Sequence, residues 1–414
     1  MRGFAERASV DAAWAWIAEN VLPLDAEWVD ARSASGRVLA ADVRSDVDVP
    51  LFDRAMMDGY AVRASDCEGA SSYHRVPFEV IGEVLPGRST PLIVTPGRAI
   101  RVMTGAPVPE GADAVLPFEK TERDGDRMLA IDELPPGKNI GRRGEDIAVD
   151  TRLFAAARRL RPQDVGVLAS IGAGCVSVVR RPKVRIVVTG DELLPAGERP
   201  RGHQIVDANS PMLEALVTRD GGIPRQPGIV RDNRESILEN MRDDADVILV
   251  SGGSSVGKED HAPAILAQYG TLAIHGVAMR PSSPAGMGRL DHRFVFLLPG
   301  NPVSCLCAYD FFAGRAIRLL AGRGAAWPYR SVRAPLRRKL VSQVGRVDYA
   351  RVRFEDGEVE PIAIAGAAVL SSTSRADGFV VVPADSEGYP ESAIVEVHLY
   401  DEPCAGDCDR AAAP

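Results

Sequence analysis

The sequence predicts an α/β plus β, multidomain protein: a doubly wound, mostly parallel α/β domain at residues 181–326, a β-rich inserted domain at 46–146 and a small C-terminal β-barrel at 327–402. Between Lys183 and Arg323, apolar runs alternate regularly with helical stretches, the pattern of βαβ units in a parallel sheet covered on both faces. Three of those runs, at 186–188, 247–250 and 294–298, each lead into a glycine-bearing turn. The turns are Thr189-Gly190-Asp191-Glu192-Leu193, Ser251-Gly252-Gly253-Ser254-Ser255-Val256-Gly257 and Leu298-Pro299-Gly300-Asn301-Pro302. Before and after this region the texture shifts to short β-type runs separated by proline and glycine.

Ser9 is placed to cap a first helix whose apolar positions Val10, Ala13, Trp14, Ile17 and Val21 recur at helical spacing, with Pro23 stopping it. Residues 1–45 are grouped with 147–180 as a helical and linking domain. Inside the β-rich insertion, Asp124-Gly125 marks a hairpin turn. A short helix at 163–170 follows Pro162, and a strand at 176–179 leads into the α/β domain. There, a helix opens at Ser210-Pro211 and closes at Gly221-Gly222. A strand at 223–230 runs to Asp232-x-x-Glu235, which has the form of a capping box. A strand at 247–250, a helix ending at Gly270, more strand and a helix after Pro302 complete the unit. Beyond it, Arg351-Val352-Arg353-Phe354 and Val359 flank an Asp356-Gly357 turn, and 393–399 alternates apolar with polar residues. The Ala- and Asp-rich segment 403–414 is expected to be disordered.

Composition bounds the function. A chain of 414 residues, 45% apolar and 26% charged, is that of a globular protein of several domains. No apolar run approaches bilayer length, so no membrane partner is expected. Residues 1–19 mix acids and bases and lack a secretory core, from which a cytoplasmic location is expected. The net charge of −8 argues against nucleic acid as a partner. The six cysteines include Cys305-x-Cys307 and Cys404-x3-Cys408, without evident further zinc ligands, and are read as mostly reduced packing residues.

The glycine turns fall where strands end, and open α/β sheets bind ligands at the carboxyl ends of their strands. Glycine lets backbone N–H groups approach a phosphate, while Asp191 and Glu192 suit a metal ion or a polar head group. An anionic, phosphorylated ligand is the expectation.

Met57-Asp58-Gly59-Tyr60-Ala61, Met103-Thr104-Gly105-Ala106-Pro107, Arg143-Gly144-Glu145-Asp146, the first two glycine turns and the stretch 298–304 together resemble the molybdopterin molybdenumtransferases, relatives of the gephyrin E domain. The likeness runs in order through nearly the whole chain. It implies an enzyme of molybdenum cofactor biosynthesis that takes adenylylated molybdopterin and molybdate, uses Mg2+ and releases AMP. It also implies a homodimer of four-domain subunits with a shared active site, and molybdoenzymes or cofactor-synthesis proteins as further partners.

Carried over by resemblance, Asp58, Thr104, Asp146, Glu192 and Asp260 are catalytic, the first three reaching the crevice of the partner subunit, and Glu192, Asp232 and Asp260 hold the metal. Thr189, Gly190, Asp191, Ser251, Gly252, Gly253, Ser255, Gly257, Pro299, Gly300, Asn301 and Pro302 contact substrate. Simpler roles stand beside these. Glu192 also suits the start of an exposed loop, Asp232 the capping box, and Asp260 the N-cap of a helix starting near His261. Asp58-Gly59 and Thr104-Gly105 are ordinary turn pairs, and Pro299 and Pro302 suit turn shaping and helix entry.

One stretch departs from the family pattern. Most members carry Lys-Pro-Gly-Lys-Pro where this chain has Arg280-Pro281-Ser282-Ser283-Pro284. Arg280 is expected to bind substrate oxyanion through its planar fork, with Ser283 adding a hydroxyl donor. Ser254 stands where valine is typical, and Gly286-Met287-Gly288 replaces bulkier residues, implying a wider pocket. Loss of both lysines motivates a second class of function, a non-catalytic pterin carrier or scaffold. A pterin adenylyltransferase is a third, opposed by the extra β-rich domains.

Overall fold

The structure, a computed structural model, describes residues 7–252, 261–363 and 366–401. The chain forms two compact units, Trp28–Val178 and Met1–Glu27 with Val179–Pro414. Helix α1 (Val10–Asn20) begins the second of these, with the Ser9 hydroxyl accepting the Ala12 N–H at 3.0 Å. Grouping α1 with 147–180 is corrected by the packing. Its buried face of Val10, Ala13 and Ile17 joins the core of Val184, Leu213 and Phe311, and Trp14 Nε1 donates to Phe311 O at 2.9 Å.

In the unit Trp28–Val178, β1 (Gly59–Val62), β2 (Val76–Val84), β3 (Arg98–Val102), β4 (Ala114–Pro117), β5 (Thr121–Asp124) and β6 (Arg127–Ala130) form a six-stranded sheet of order β4-β1-β3-β2-β6-β5. Strand alternation feeds separate cores: Val62, Phe78 and Leu116 in one, Ala61, Ile100 and Val115 in another. The hairpin falls where expected, with Asp124 opposite Arg127. A further cluster of Leu39, Phe154, Leu168 and Val178 gathers the chain on either side of the insertion, with α2 (Pro162–Ser170) contributing.

The α/β part of the other unit contains β7 (Lys183–Thr189), α3 (Asn209–Asp220), β8 (Ile223–Arg225), β9 (Ile229–Val230), α4 (Arg234–Met241), β10 (Val247–Ser251), α5 (His261–Tyr269), β11 (Thr271–His275), β12 (Met279–Arg280), β13 (Gly286–Leu290), β14 (Arg293–Leu298), α6 (Pro302–Ala308) and α7 (Gly314–Leu320). The sheet order is β8-β7-β10-β14-β13-β11, with β9 also pairing β7. Strands β8, β7, β10 and β14 run parallel, and β13 and β11 are antiparallel additions at one edge. Successive residues of the central strands point to opposite faces. Val247 and Leu249 meet the core that includes α1 and α3, while Ile248 and Val250 meet that of α4 and α5. Burial on both faces explains why these strands read as continuous apolar runs.

Some local expectations change. The run 223–230 is broken into β8 and β9, with Gly228 at φ +97° between them. Gly286 and Gly288 do not widen a pocket. A Cβ on Gly288 would collide with Thr271 O across the β11–β13 pair, and Met287 is buried in the core.

The C-terminal part holds β15 (Ser331–Pro335), β16 (Val347–Glu355), β17 (Glu358–Ala363), β18 (Gly378–Val382) and β19 (Ile394–Leu399), ordered β15-β19-β18-β16, with β17 also pairing β16. A parallel bridge between Leu336 and Val359 joins the end of β15 to β17 and closes the sheet on itself. Strand β12 adds to β16 in parallel, Met279 opposite Val347 and Arg280 opposite Asp348. Among the described residues no helix is long and apolar enough to cross a membrane. Residues 403–414, with Cys404 and Cys408, lie outside those described.

Candidate functional site

The parallel register brings the ends of β7, β10 and β14 level: Val188 pairs with Ser251, and Ser251 with Leu298. Their glycine turns therefore meet. Gly252, at φ +102°, comes so near the first turn that a Cβ would lie 2.6 Å from Thr189 O. A Cβ on Gly300 would lie 3.5 Å from Gly252 Cα. Only glycine at 252 combines that φ with that approach.

Helix α3 supplies the polar floor. It begins at Asn209, not at the Ser210-Pro211 start expected, because Asp207 Oδ1 accepts the N–H groups of Asn209 and Ser210 at 2.9 and 3.0 Å. Asn209 Nδ2 then bonds to Ser251 Oγ at 2.9 Å and Gly300 O at 2.8 Å, fastening the second turn to the third. Asn209 Oδ1, Ser210 Oγ and Thr189 Oγ1 are buried without a hydrogen-bond partner among the described residues. Such groups carry a desolvation cost that a polar ligand relieves. Ser251 Oγ also lies 3.6 Å from Cys305 Sγ, a thiol that burial pushes up to about 12, so it stays protonated and unreactive. Sequence reasoning missed Asp207, Asn209 and Cys305 as site residues. The available signal was a polar Asp207-Ala208-Asn209-Ser210 cluster ahead of a helix, read only as a helix start.

The acids gather beside the first turn. Asp191 and Glu192 are exposed, and the Glu192 carboxylate folds back over Gly190, within 2.9 Å of where a Cβ would stand. The Asp232 N–H lies 3.4 Å from Asp191 Oδ1. The capping-box role expected of Asp232 is overturned, because Asn233 caps α4 through Oδ1 to the Ser236 N–H at 2.9 Å. Among the described residues no three acidic, histidine or cysteine side chains form a ready metal cage. Gly253, Ser255, Gly257 and Asp260 lie outside the described residues. Pro299 is buried, Asn301 precedes α6 without a side-chain cap bond, and Pro302 is the first residue of α6.

Arg280 is not a free fork. Its Nε bonds Asp348 Oδ1 at 3.1 Å and its Nη2 bonds Asp348 Oδ2. Ser283 Oγ, in contrast, is buried without a partner among the described residues.

In the unit Trp28–Val178, Asp58 and Thr104 come together. Asp58 Oδ1 accepts the Thr104 N–H at 2.8 Å and its hydroxyl at 2.7 Å, which holds the Asp58 carboxyl below the usual range. Asp146 is exposed on another loop, its N–H on Val49 O at 3.1 Å. That loop is tied down by Arg143 to Asp48 at 2.6 Å and Arg142 to Asp53 at 2.6 Å.

Fold and site define a class: a multidomain mixed α/β protein whose parallel-sheet edge brings glycine turns together over the polar start of α3. Comparison with known proteins narrows it. Residues 8–172 match the MoeA N-terminal region (domain I and II), 185–318 the family described as "Probable molybdopterin binding domain", and 333–400 the MoeA C-terminal region (domain IV). The molybdopterin molybdenumtransferase of Bacillus subtilis is 31% identical over 397 residues, covering 91% of this chain and 90% of the relative. Molybdopterin molybdenumtransferase 2 of Mycobacterium tuberculosis is 34% identical over 367 residues, covering 85% and 89%. The crystal structure of a molybdopterin biosynthesis MoeA protein from Pyrococcus horikosii superposes with a TM-score of 0.82 at 32% identity, covering 96% of this chain and 100% of that one. The chain belongs to the molybdopterin molybdenumtransferase family.

Proposed function

We propose that this chain is a molybdenumtransferase of molybdenum cofactor biosynthesis that inserts molybdate into adenylylated molybdopterin and releases AMP. The observation that carries this reading is the convergence of the three glycine turns over Asn209, Ser210 and Thr189, whose buried Oδ1, Oγ and Oγ1 atoms have no hydrogen-bond partner among the described residues. Backbone N–H groups of the turns suit the phosphates, and the α3 floor suits the polar edges of a pterin. Thr189, Gly190, Asp191, Ser251, Gly252, Gly253, Ser255, Gly257, Pro299, Gly300, Asn301 and Pro302 are assigned to substrate.

The acids at this edge are all carboxylates, a donor set that fits a hard cation such as Mg2+. Glu192, Asp232 and Asp260 would hold it, and when bound it would offset the charge of the phosphoanhydride. The cap of α4 is made by Asn233, so the capping box does not account for Asp232. Asp58, Thr104 and Asp146 are assigned to a crevice completed by a second copy of the chain. The bonds from Thr104 keep Asp58 ionised and oriented.

The test is AMP release by purified protein given adenylylated molybdopterin, magnesium and molybdate, with tungstate in parallel and the product assayed by activation of a molybdenum-free apo-enzyme. Wild type is expected to release AMP and yield active cofactor. Glu192→Gln is expected to lose AMP release while keeping its circular dichroism spectrum. An unimpaired Glu192→Gln enzyme removes that residue from the mechanism. The pairing of the Arg280 Nε and Nη2 edge with Asp348, where the family carries lysines, favours one rival reading, a pterin carrier. Tight pterin binding without AMP release would establish the carrier.

A further inference from the structure

Asp348 has no exposed surface, yet it is a charged residue at the joint between the C-terminal sheet and the Arg280–Pro284 segment. A buried carboxylate is costly unless it is paired. Here it is paired several times over. Besides Arg280, Ser342 Oγ donates to Oδ2 at 2.8 Å, and Arg346 Nε lies 3.2 Å from Oδ1. Two guanidinium groups share one carboxylate, so the cluster keeps one net positive charge.

The geometry of the Arg280 bond matters as much as its charge. Pairing through Nε and Nη2 uses one edge of the planar guanidinium. Nη1 therefore lies away from the carboxylate with two N–H donors, and no described residue accepts from it. The main chain is fixed at the same place, with Val347 N–H on Ala278 O at 2.9 Å beside the β12–β16 pair.

The other end of the segment is fastened to the crevice. Ser282, at φ +86°, donates its Oγ to Ser304 O in the first turn of α6, directly after the third glycine turn. Next to it, Ser283 Oγ is buried and unpartnered among the described residues. The segment is thus held at both ends, with one cationic edge and one hydroxyl that no described residue engages.

We propose that Asp348 is a positioning residue for oxyanion capture: it anchors Arg280 so that the free Nη1 edge, together with Ser283 Oγ, receives the tetrahedral oxyanion co-substrate. Asp348 itself touches no substrate. The proposal rests on the transferase reading above for the identity of the oxyanion, which is molybdate.

The experiment compares wild type with Asp348→Asn, Asp348→Glu and Arg280→Gln. Molybdate binding is measured by calorimetry, and KM for molybdate and for adenylylated molybdopterin are measured separately. Asp348→Asn is expected to weaken molybdate binding and raise its KM about tenfold, the scale of one charge-assisted hydrogen bond. The KM for the pterin substrate and kcat at saturating molybdate should hold, and Asp348→Glu should recover part of the loss. Unchanged molybdate affinity in folded Asp348→Asn protein, or equal weakening of both substrates without rescue by Glu, overturns the proposal. If Asp348→Asn does not fold, Arg280→Gln decides, because Asp348 keeps Ser342 and Arg346 there: weakened molybdate binding supports the proposal and unchanged binding overturns it. A wild-type protein that binds molybdate but releases no AMP would sink the transferase reading, while the calorimetric comparison still decides the role of Asp348.

Discussion

Asn209 shows how much one side chain contributes to this crevice. Its amide bridges Ser251 and Gly300, so Asn209→Ala leaves a buried hydroxyl and a carbonyl short of a donor. A loss of about 1–3 kcal/mol in urea unfolding is expected. Gly252→Ala meets a harder obstacle, because its Cβ would sit 2.6 Å from Thr189 O at a φ of +102°. Loss of ligand binding by calorimetry is the expected outcome. The glycine turns were legible in the sequence because a glycine that ends a buried apolar run has few other reasons to be there. Asn209 and Arg280 were not legible in the same way. The partners that give Asn209 its role are 42 and 91 residues away, and Asp348 is 68 residues beyond Arg280, so neither pairing leaves a local trace.

At the scale of elements, α3 is capped from outside by Asp207, and Asp207→Ala should cost about 1 kcal/mol, measured by chemical denaturation. The opposite edge of the sheet is stitched by Asp246, which accepts the Lys183 N–H at 2.7 Å and the Arg180 fork at 2.8 and 2.9 Å. Burial pushes its pKa up, but the bonds from Arg180 and Lys183 outweigh burial and hold it below the usual carboxylate value. A depressed folded pKa contributes stability that is full above the unfolded value, about 3.9, and is lost as pH falls through the folded one. Denaturation midpoints of wild type and Asp246→Asn should therefore differ at neutral pH and converge in acid. Equal midpoints at neutral pH would show that the stitch contributes nothing. Strands of the central sheet were readable because both faces are buried and the runs are wholly apolar. The start of α3 and the cap of α4 were each misplaced by a residue, since Asp207, Ser210, Asp232 and Asn233 all have cap chemistry and only the path of the backbone chooses between them.

At the scale of the whole molecule, the proposed shared site makes a sharp demand. Mixing Asp58→Ala chains with Glu192→Gln chains should restore part of the AMP release that each variant lacks alone, because a mixed dimer would hold one intact crevice. Failure of the mixture, with dimers present by sedimentation, would place all these residues in one chain's own site. The alternation of strand and helix announced the α/β part from sequence, whereas the home of α1 stayed hidden, since Trp14 meets Phe311, 297 positions further along the chain. That distance bears on synthesis. A ribosome releases α1 before the core it joins, so the apolar face of Val10, Ala13 and Ile17 emerges long before Phe311 exists to cover it. The Trp28–Val178 unit, with its own cores, is free to fold in the interval. The growing chain thus trails an uncovered helix through most of its translation, and a chaperone that shields such faces should raise the yield of active protein more than that of the excised Trp28–Val178 unit.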